Sequence, residues 1–367
     1  MAPPDWPAIQ AAKAAALSAR IVASGLDAVV VQDQHAARWL TGYSPFMRIC
    51  PPTGHVAVMR AGGPVHLFPI PYYVGDARRR APWLIVHEVP AGADALAAAV
   101  LELAGPGPVG LCGVTWELGA ALAARAPVAS AAAEVAAPRA AKVPGEAGLV
   151  ERALALAAEG MAAARDAAAA GVAEIEVAAA AEDAIRRLGG DGHAIVARGV
   201  NAAGLTELAG PDRLRPGDGV LVDVGCYLDG YRGEFARTFA VGDPPAALVD
   251  AHRAAVRAIE AAEVMLAPGV TGDALDRAAR DALAADGYGS WVLPHPVGHG
   301  LGASGGERPA IATGSDDRVP DGAVVNLEPG VFDPGAGLAV RVEDTYLVQA
   351  QGARRMTTFP RELAVCG

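Results

Sequence analysis

Gly219 to Val241, GVLVDVGCYLDGYRGEFARTFAV, is the stretch whose reading decides the fold. Two apolar runs flank Asp229-Gly230, a dipeptide suited to a two-residue hairpin turn because both central positions of that turn need a positive φ. With these residues at the turn centre, Leu228 faces Tyr231 and Gly225 lies opposite Glu234. Side chains alternate along a strand, so Asp223 shares a face with Gly225. Asp223 and Glu234 become diagonal neighbours about 7–8 Å apart at the backbone, with no side chain on Gly225 between them. Two like charges so placed are costly unless a cation or a proton compensates them. A metal ion is one remedy. An exposed hairpin with one acid in solvent is the other, and the stretch by itself leaves both open.

Three more stretches carry donors. PHPVGHGLG, residues 294–302, sets His299 between glycines, where its imidazole is uncrowded. VVNLEPG carries Glu328 at the end of an apolar strand before a Pro-Gly turn, and VRVEDTYLV carries Glu343 inside an apolar strand. Taken singly, a turn-donor histidine, a turn-capping Glu328 and a Glu343 paired with Arg341 or exposed at an edge describe them well enough. With Asp223 and Glu234 of the hairpin they give four acids and one histidine in an otherwise apolar domain, which those readings explain poorly. Five such donors can hold two divalent ions about 3.5–4 Å apart and bring the pKa of a shared water towards 7. Carboxylates with one imidazole suit manganese, cobalt, iron or zinc.

The chain has 367 residues, long for one domain and comfortable for two. Its hydrophobic fraction of 52% is rich in alanine, which favours helix but buries little area, so Val, Leu and Ile are expected to mark the core. A net charge of -11 argues against nucleic acid or an anionic membrane as partner. Cys50, Cys112, Cys226 and Cys366 lie far apart with no CxxC spacing and read as reduced thiols. Cys226 faces away from Asp223 and is expected to fill core. MAPPDWPAIQ lacks the basic-then-apolar order of a signal peptide, and no long uncharged apolar run follows. A cytoplasmic location is expected.

Upstream, residues 8–24 read as an amphipathic helix ended by Gly25. LDAVVVQ, HVAVMR, PVHLFPI, LIVHEV and PVGLCG read as strands alternating with helices, an α/β domain over 1–138. RAAKVPGE, 139–146, reads as a linker. Residues 147–367 read as α+β with an antiparallel sheet: helices split at Gly171, strand HAIVARG, the hairpin, a helical pair over 245–286, then short strands. Two helix-then-strand blocks, 147–241 and 245–348, suggest a pseudo-repeat.

Asp223, an acid eleven residues on, His299 in GHGxG, Glu328 in EPG and Glu343 in RxED resemble the ligand set of the pita-bread metallopeptidases, the family of Xaa-Pro aminopeptidases, prolidases and methionine aminopeptidases. GLDAVVV with WLTGY, the KVPGE linker and TFPREL, 358–363, resemble the amino-terminal domain, linker and closing segment of creatinases and prolidases. The resemblance implies a creatinase-like first domain, a pita-bread catalytic domain with pseudo-two-fold symmetry, one or two divalent ions, and homodimers in which Trp39, Tyr43 and Phe46 lie where a partner's domain would reach, although core packing explains these three better.

The departures are specific. The family stretch GYxSDxTRT stands here as GYRGEFART, so its Asp is replaced by Glu234, longer by about 1.5 Å. Two histidines that the resemblance assigns to holding the scissile peptide are replaced by Thr206, after Gly199-Val200-Asn201, and by Gly306, seven residues after His299. Losing such a donor typically costs about 10²–10³ in rate. The expectation is therefore a metal-dependent hydrolase of an amide or related C–N bond, in a small molecule or short peptide other than an ordinary Xaa-Pro one. Asp223, Glu234, His299, Glu328 and Glu343 would hold metal, Glu328 also acting as general base and His295 as a proton-transfer group. Thr206, Gly306 and Arg341 would face substrate, although Arg341, like Arg237, also reads as orienting Glu343 and the hairpin. His193 is a further candidate, equally readable as packed at a strand start. Relatives such as creatinase, ectoine hydrolase and dimethylsulfoniopropionate lyase leave another reaction class open, and a non-catalytic binding protein is the third reading.

Overall fold

The computed structural model describes residues 4–43, 54–204, 208–290 and 295–367. Cys50, Phe46, Thr206 and Pro294, singled out above, lie outside the described residues. The chain divides into two compact units, Met1–Glu146 and Ala147–Gly367.

The first unit runs α1 (Trp6–Ala23), β1 (Ala28–Val31), α2 (Gln34–Thr41), β2 (Val56–Arg60), β3 (Val65–Phe68), α3 (Val74–Arg80), β4 (Ile85–Val86), α4 (Ala93–Ala104), β5 (Val109–Cys112), α5 (Trp116–Ala123), β6 (Val128–Ser130) and α6 (Ala132–Ala140). Its six strands form one mixed sheet in the order β4-β3-β2-β1-β5-β6. Every side chain of β1 is buried, as a central strand covered on both faces requires. The Asp33 carboxylate caps α2 by accepting from Ala36 N at 2.8 Å, and Gly42 ends that helix at φ +65°. Trp39 and Tyr43 are buried in this unit.

The second unit runs α7 (Glu146–Ala167), α8 (Glu174–Arg187), β7 (Asp191–Arg198), α9 (Gly199–Ala203), β8 (Gly219–Leu228), β9 (Tyr231–Val241), α10 (Ala246–Met265), α11 (Gly272–Ala285), β10 (Gly298–Leu301), β11 (Gly305–Ile311), β12 (Val324–Leu327), β13 (Gly330–Asp333), β14 (Leu338–Arg341), β15 (Asp344–Gln349), β16 (Gly352–Arg355) and β17 (Val365–Cys366). Two helices followed by a sheet therefore occur twice, antiparallel throughout in the second case and in the first except where β17 joins β9 in parallel. The first sheet has the order β17-β9-β8-β7, the second β11-β10-β12-β15-β16, with β13 and β14 paired separately.

The hairpin has the expected register. Leu228 pairs with Tyr231 and Gly225 with Glu234, and Asp229 and Gly230 take φ of 51° and 81° as the turn demands. Gly233 lets α7 lie against β9, since a Cβ there would stand 2.4 Å from Leu154 N. The core departs from expectation at α10. Its buried face is largely alanine, with Ala251, Ala254, Ala255, Ala258 and Ala262 fully buried. Small side chains let the helix approach its neighbours closely, so alanine here marks the core as firmly as leucine does. Cys226 is buried, as expected of a core filler. Among the described residues, no helix is long and apolar enough to cross a membrane.

Candidate metal centre

The five anticipated donors form one connected cluster inside the second unit. Arg341 Nη1 donates to Asp223 Oδ2 at 2.9 Å and lies 3.5 Å from Glu328 Oε2. Glu328 Oε1 is 3.7 Å from His299 Nε2, which is 3.6 Å from Glu234 Oε1. Asn326 Nδ2 then donates to Glu234 Oε1 at 3.2 Å and to Glu343 Oε1 at 2.6 Å.

Local structure explains how each side chain arrives. Asp223 lies on β8 and Glu234 on β9. His299 belongs to a strand, β10, rather than to the glycine turn its sequence suggests, because β11 and β12 pair with β10 on its two edges. Glu328 directly follows β12. Glu343 lies in the break between β14 and β15, not inside a strand; its N–H donates to Ala236 O at 3.0 Å and its carbonyl accepts from Arg237 Nη1 at 2.6 Å. That break turns the chain so that Glu343 enters the centre while Asp344 faces Arg237 and Arg361. Arg237 therefore orients the Glu343 backbone, as the sequence suggests. Arg341 does not hydrogen-bond to Glu343; it binds Asp223.

The space beside Gly225 also differs from the expected gap between two acids. His193 on β7 and Arg232 on β9 fill it: a Cβ on Gly225 would stand 2.3 Å from His193 Cε1 and 2.8 Å from Arg232 Nη2. Arg232 Nε donates to Glu234 Oε2, and Arg232 Nη2 lies 2.9 Å from His193 Nε2. Burial and the adjacent Arg232 charge hold the His193 pKa down, so the imidazole is the acceptor in this pair.

Burial sets the protonation of the acids. It raises Glu343 well above the usual carboxylate range, helped by the charges of Asp223, Glu328 and Glu234. It raises Glu328 and Asp223 as well, against the pull of Arg341. For Glu234, burial pushes the same way but is outweighed by Arg232 and His299, and the pKa falls. His295 is driven down to about 4, first by burial and then by Arg341. Its Nδ1 faces Pro296 O at 2.5 Å and its Nε2 faces Arg341 Nη2 at 3.4 Å. His295 thus reaches the acids through Arg341.

Gly306 takes φ +79° and sends its N–H to His299 Nδ1 at 3.1 Å, while Gly300 O stands 3.0 Å from the same nitrogen. The Gly306 bond needs a lone pair on Nδ1 and so belongs to the Nε2–H tautomer, whereas the tautomer that turns the Nε2 lone pair into the centre puts Nδ1–H on Gly300 O and gives up the Gly306 bond. A Cβ at Gly306 would meet nothing within 4 Å, so the space is open there. Asn201, ahead of Thr206, spends its amide on Glu174 and Asp212, at 2.9 Å each.

The donor chemistry fits one divalent ion. Four carboxylates face two guanidinium groups, which leaves two negative charges, and Glu343 Oε2 is buried with no hydrogen-bond partner. The donors are not drawn together around a common point: among the described residues, no group of three or more His, Cys, Asp or Glu side chains is placed to hold an ion. Arg232 and Arg341 already supply half of the charge that compensates the four acids. Sequence reasoning passed over Arg232 and Asn326. Each stands two residues before a named donor, Glu234 and Glu328, and the period of two along a strand is the signal that could have found them.

Comparison with known proteins places these residues in a family. The model of metallopeptidase family M24 matches residues 148–350. A Xaa-Pro dipeptidase of Pyrococcus furiosus is 35% identical over 195 residues, 51% of this chain and 54% of that protein, so the match spans about half of the curated relative's length. The structure of a Xaa-Pro dipeptidase from Bacillus anthracis superposes with a TM-score of 0.85 at 26% identity, covering 97% of this chain and 99% of that one. An X-Pro aminopeptidase from Thermotoga maritima gives a TM-score of 0.83 at 25% identity over 95% of this chain and 99% of that one. With a creatinase-like first unit and a pita-bread second unit, the chain belongs to metallopeptidase family M24.

Proposed function

We propose that this chain hydrolyses an amide or related C–N bond of a small polar molecule or short peptide at the carboxylate centre. The observation that carries the reading is Glu328: a partly buried carboxyl, its side chain 13% exposed, with a raised pKa, 3.7 Å from His299 and 3.5 Å from Arg341. A carboxylate made more basic by burial is suited to take a proton from water near neutral pH. Arg341 holds Glu328 and Asp223 in place, and His295 accepts from Arg341 behind them. Glu328 is then the group that returns the proton to the leaving nitrogen.

Membership of a metallopeptidase family implies a divalent ion. Asp223, Glu234, His299, Glu328 and Glu343 would hold it, and manganese, cobalt, iron or zinc suits that set. Such an ion, when bound, polarises a carbonyl and acidifies water. The open space at Gly306 supports a substrate other than an ordinary Xaa-Pro dipeptide, because no side chain is present there to grip a peptide group. A homodimer is part of the proposal.

A panel tests it: Xaa-Pro dipeptides against dipeptides without proline, small amides, ureas and cyclic amidines, each with manganese, cobalt, iron or zinc added. Turnover confined to the members other than Xaa-Pro dipeptides, or greatest there, is expected. A higher kcat/KM for Xaa-Pro dipeptides than for every other member would overturn the substrate assignment.

A further inference from the structure

We infer that Arg232 is a built-in cation occupying one half of the centre, so that the chain takes no more than one divalent ion. The inference rests on the proposed ion-dependent reading, and it concerns the number of ions rather than the reaction.

The backbone alone brings Arg232 to the site. Arg232 and Glu234 are two residues apart on β9, so their side chains leave the same face of the sheet. Tyr227 and Gly225 pair with them on β8, and His193 pairs with Gly225 from β7. Across this face the three strands present tyrosine, arginine, glycine, glutamate and histidine, and the bare Gly225 leaves the space into which the arginine reaches.

The surroundings are shaped to a guanidinium. Its Nε donates to Glu234 Oε2, its Nη2 meets the neutral His193 Nε2 at 2.9 Å, and its Cζ lies 5.5 Å from the Tyr227 ring centroid. Two glycines make room. A side chain on Gly225 would collide with Arg232 and His193. On the opposite wall, a Cβ on Gly305 would stand 3.0 Å from Arg232 Nε and 3.1 Å from Glu234 Oε1. Arg232 N also donates to Gly302 O at 2.8 Å, which fixes its backbone against the loop before β11.

Glu234 is the consequence. With Oε2 given to the Arg232 guanidinium, Glu234 keeps only Oε1 for a cation, and it would have fewer lone pairs to offer a second one. The charges agree. Arg232 and Arg341 leave two negative charges among the four acids, enough for one divalent ion, and a second would make a buried site net positive.

Counting bound ions tests this without reference to turnover. The full chain is stripped with chelator and titrated with manganese(II), the bound metal is counted by equilibrium dialysis with elemental analysis, and electron paramagnetic resonance reports coupling between neighbouring ions. Wild type is expected to saturate at one equivalent with an uncoupled spectrum. Arg232→Ser is expected to rise to two equivalents with a coupled spectrum, and Arg232→Lys, which keeps the charge, to stay at one. Wild-type saturation at two equivalents would overturn the inference, as would an Arg232→Ser plateau equal to that of wild type. No binding by wild type with binding by Arg232→Ser would uphold the role of Arg232 and count against the ion-dependent reading. A comparison of melting temperature with and without manganese covers the case of an unstable variant: if Arg232→Ser is stabilised by the ion more than wild type is, the slot has been opened.

Discussion

Asn326 and Glu343 share the shortest polar contact made by the acid cluster's neutral members: Asn326 Nδ2 lies 2.6 Å from Glu343 Oε1 and also donates to Glu234 Oε1 at 3.2 Å. The amide orientation is fixed from behind, since Thr345 Oγ1 stands 2.7 Å from Asn326 Oδ1. One neutral donor therefore serves two buried acids. Asn326→Asp keeps the shape and turns the donor into a further acceptor among carboxylates. The expected loss is about 1.5–3 kcal/mol, the worth of a hydrogen bond to a charged group, here the ionised Glu234. Urea unfolding of the chelated protein measures it, and an unchanged midpoint would show that the contact is not a stabilising one.

Glu343 itself gives a prediction of opposite sign. Burial raises its pKa, so in the ion-free protein it carries a proton, and its Oε2 has no partner. A raised carboxyl contributes stability that is complete below the unfolded pKa and is lost as pH climbs through the folded pKa. Ion-free wild type should therefore lose stability as pH rises from the usual carboxylate range towards neutrality and above. Glu343→Gln, unable to ionise, should lose less over that interval and should bind manganese at least tenfold more weakly. Parallel stability–pH curves for the two proteins would contradict the protonated state.

Arg237 staples three segments together. Its guanidinium donates to Ala236 O, Glu343 O, Phe359 O and Pro360 O, and to Asp344 Oδ1 at 2.7 Å, with Arg237 and Asp344 both fully buried. A planar fork can meet those acceptors together and an ammonium cannot. Arg237→Lys should cost about 3 kcal/mol or more, the range for breaking a buried pair. Thermal unfolding of the purified variant is the check; a melting temperature within a degree of wild type would mean that charge alone, not shape, does the holding.

His252 on α10 is buried, its Nε2 has no partner, and burial with the nearby Arg237 charge drives its pKa down to about 4. The unfolded chain takes up the proton nearer pH 6.5, so unfolding binds more protons between these values and stability falls as pH drops through that window. The full effect is about 1.4 kcal/mol per pKa unit of separation. His252→Gln should flatten the decline between pH 6.5 and 4. An identical acid limb in wild type and variant would show that other groups set it.

The sequence carried the hairpin because three signals agreed there: a dipeptide that tolerates positive φ, apolar runs on both sides, and acids at positions of one parity. It carried the second unit's two-fold order of helices and strands for the same reason, local period. It did not carry what depends on partners distant in the chain. His299 is in a strand because β11 and β12 flank it, and nothing in GHGLG states that. Glu343 leaves its strand because Asp344 is claimed by Arg237 and Arg361. Gly225 looked like space for an ion, whereas His193 and Arg232 occupy it, and only the pairing of β7 with β8 reveals the histidine. Alanine on α10 was discounted by its small area, and the close approach that makes it core is a property of packing.

Water incorporation tests the central claim most directly. The substrate panel, run in ¹⁸O-enriched water with wild type and with Glu328→Gln, is analysed by mass spectrometry. A hydrolase with Glu328 as base should place one ¹⁸O in the acyl or carbonyl product, and Glu328→Gln should be slower by about 10²–10⁴, the usual worth of a general base. Product formed without ¹⁸O, or formed at the wild-type rate by Glu328→Gln, would contradict hydrolysis at this centre.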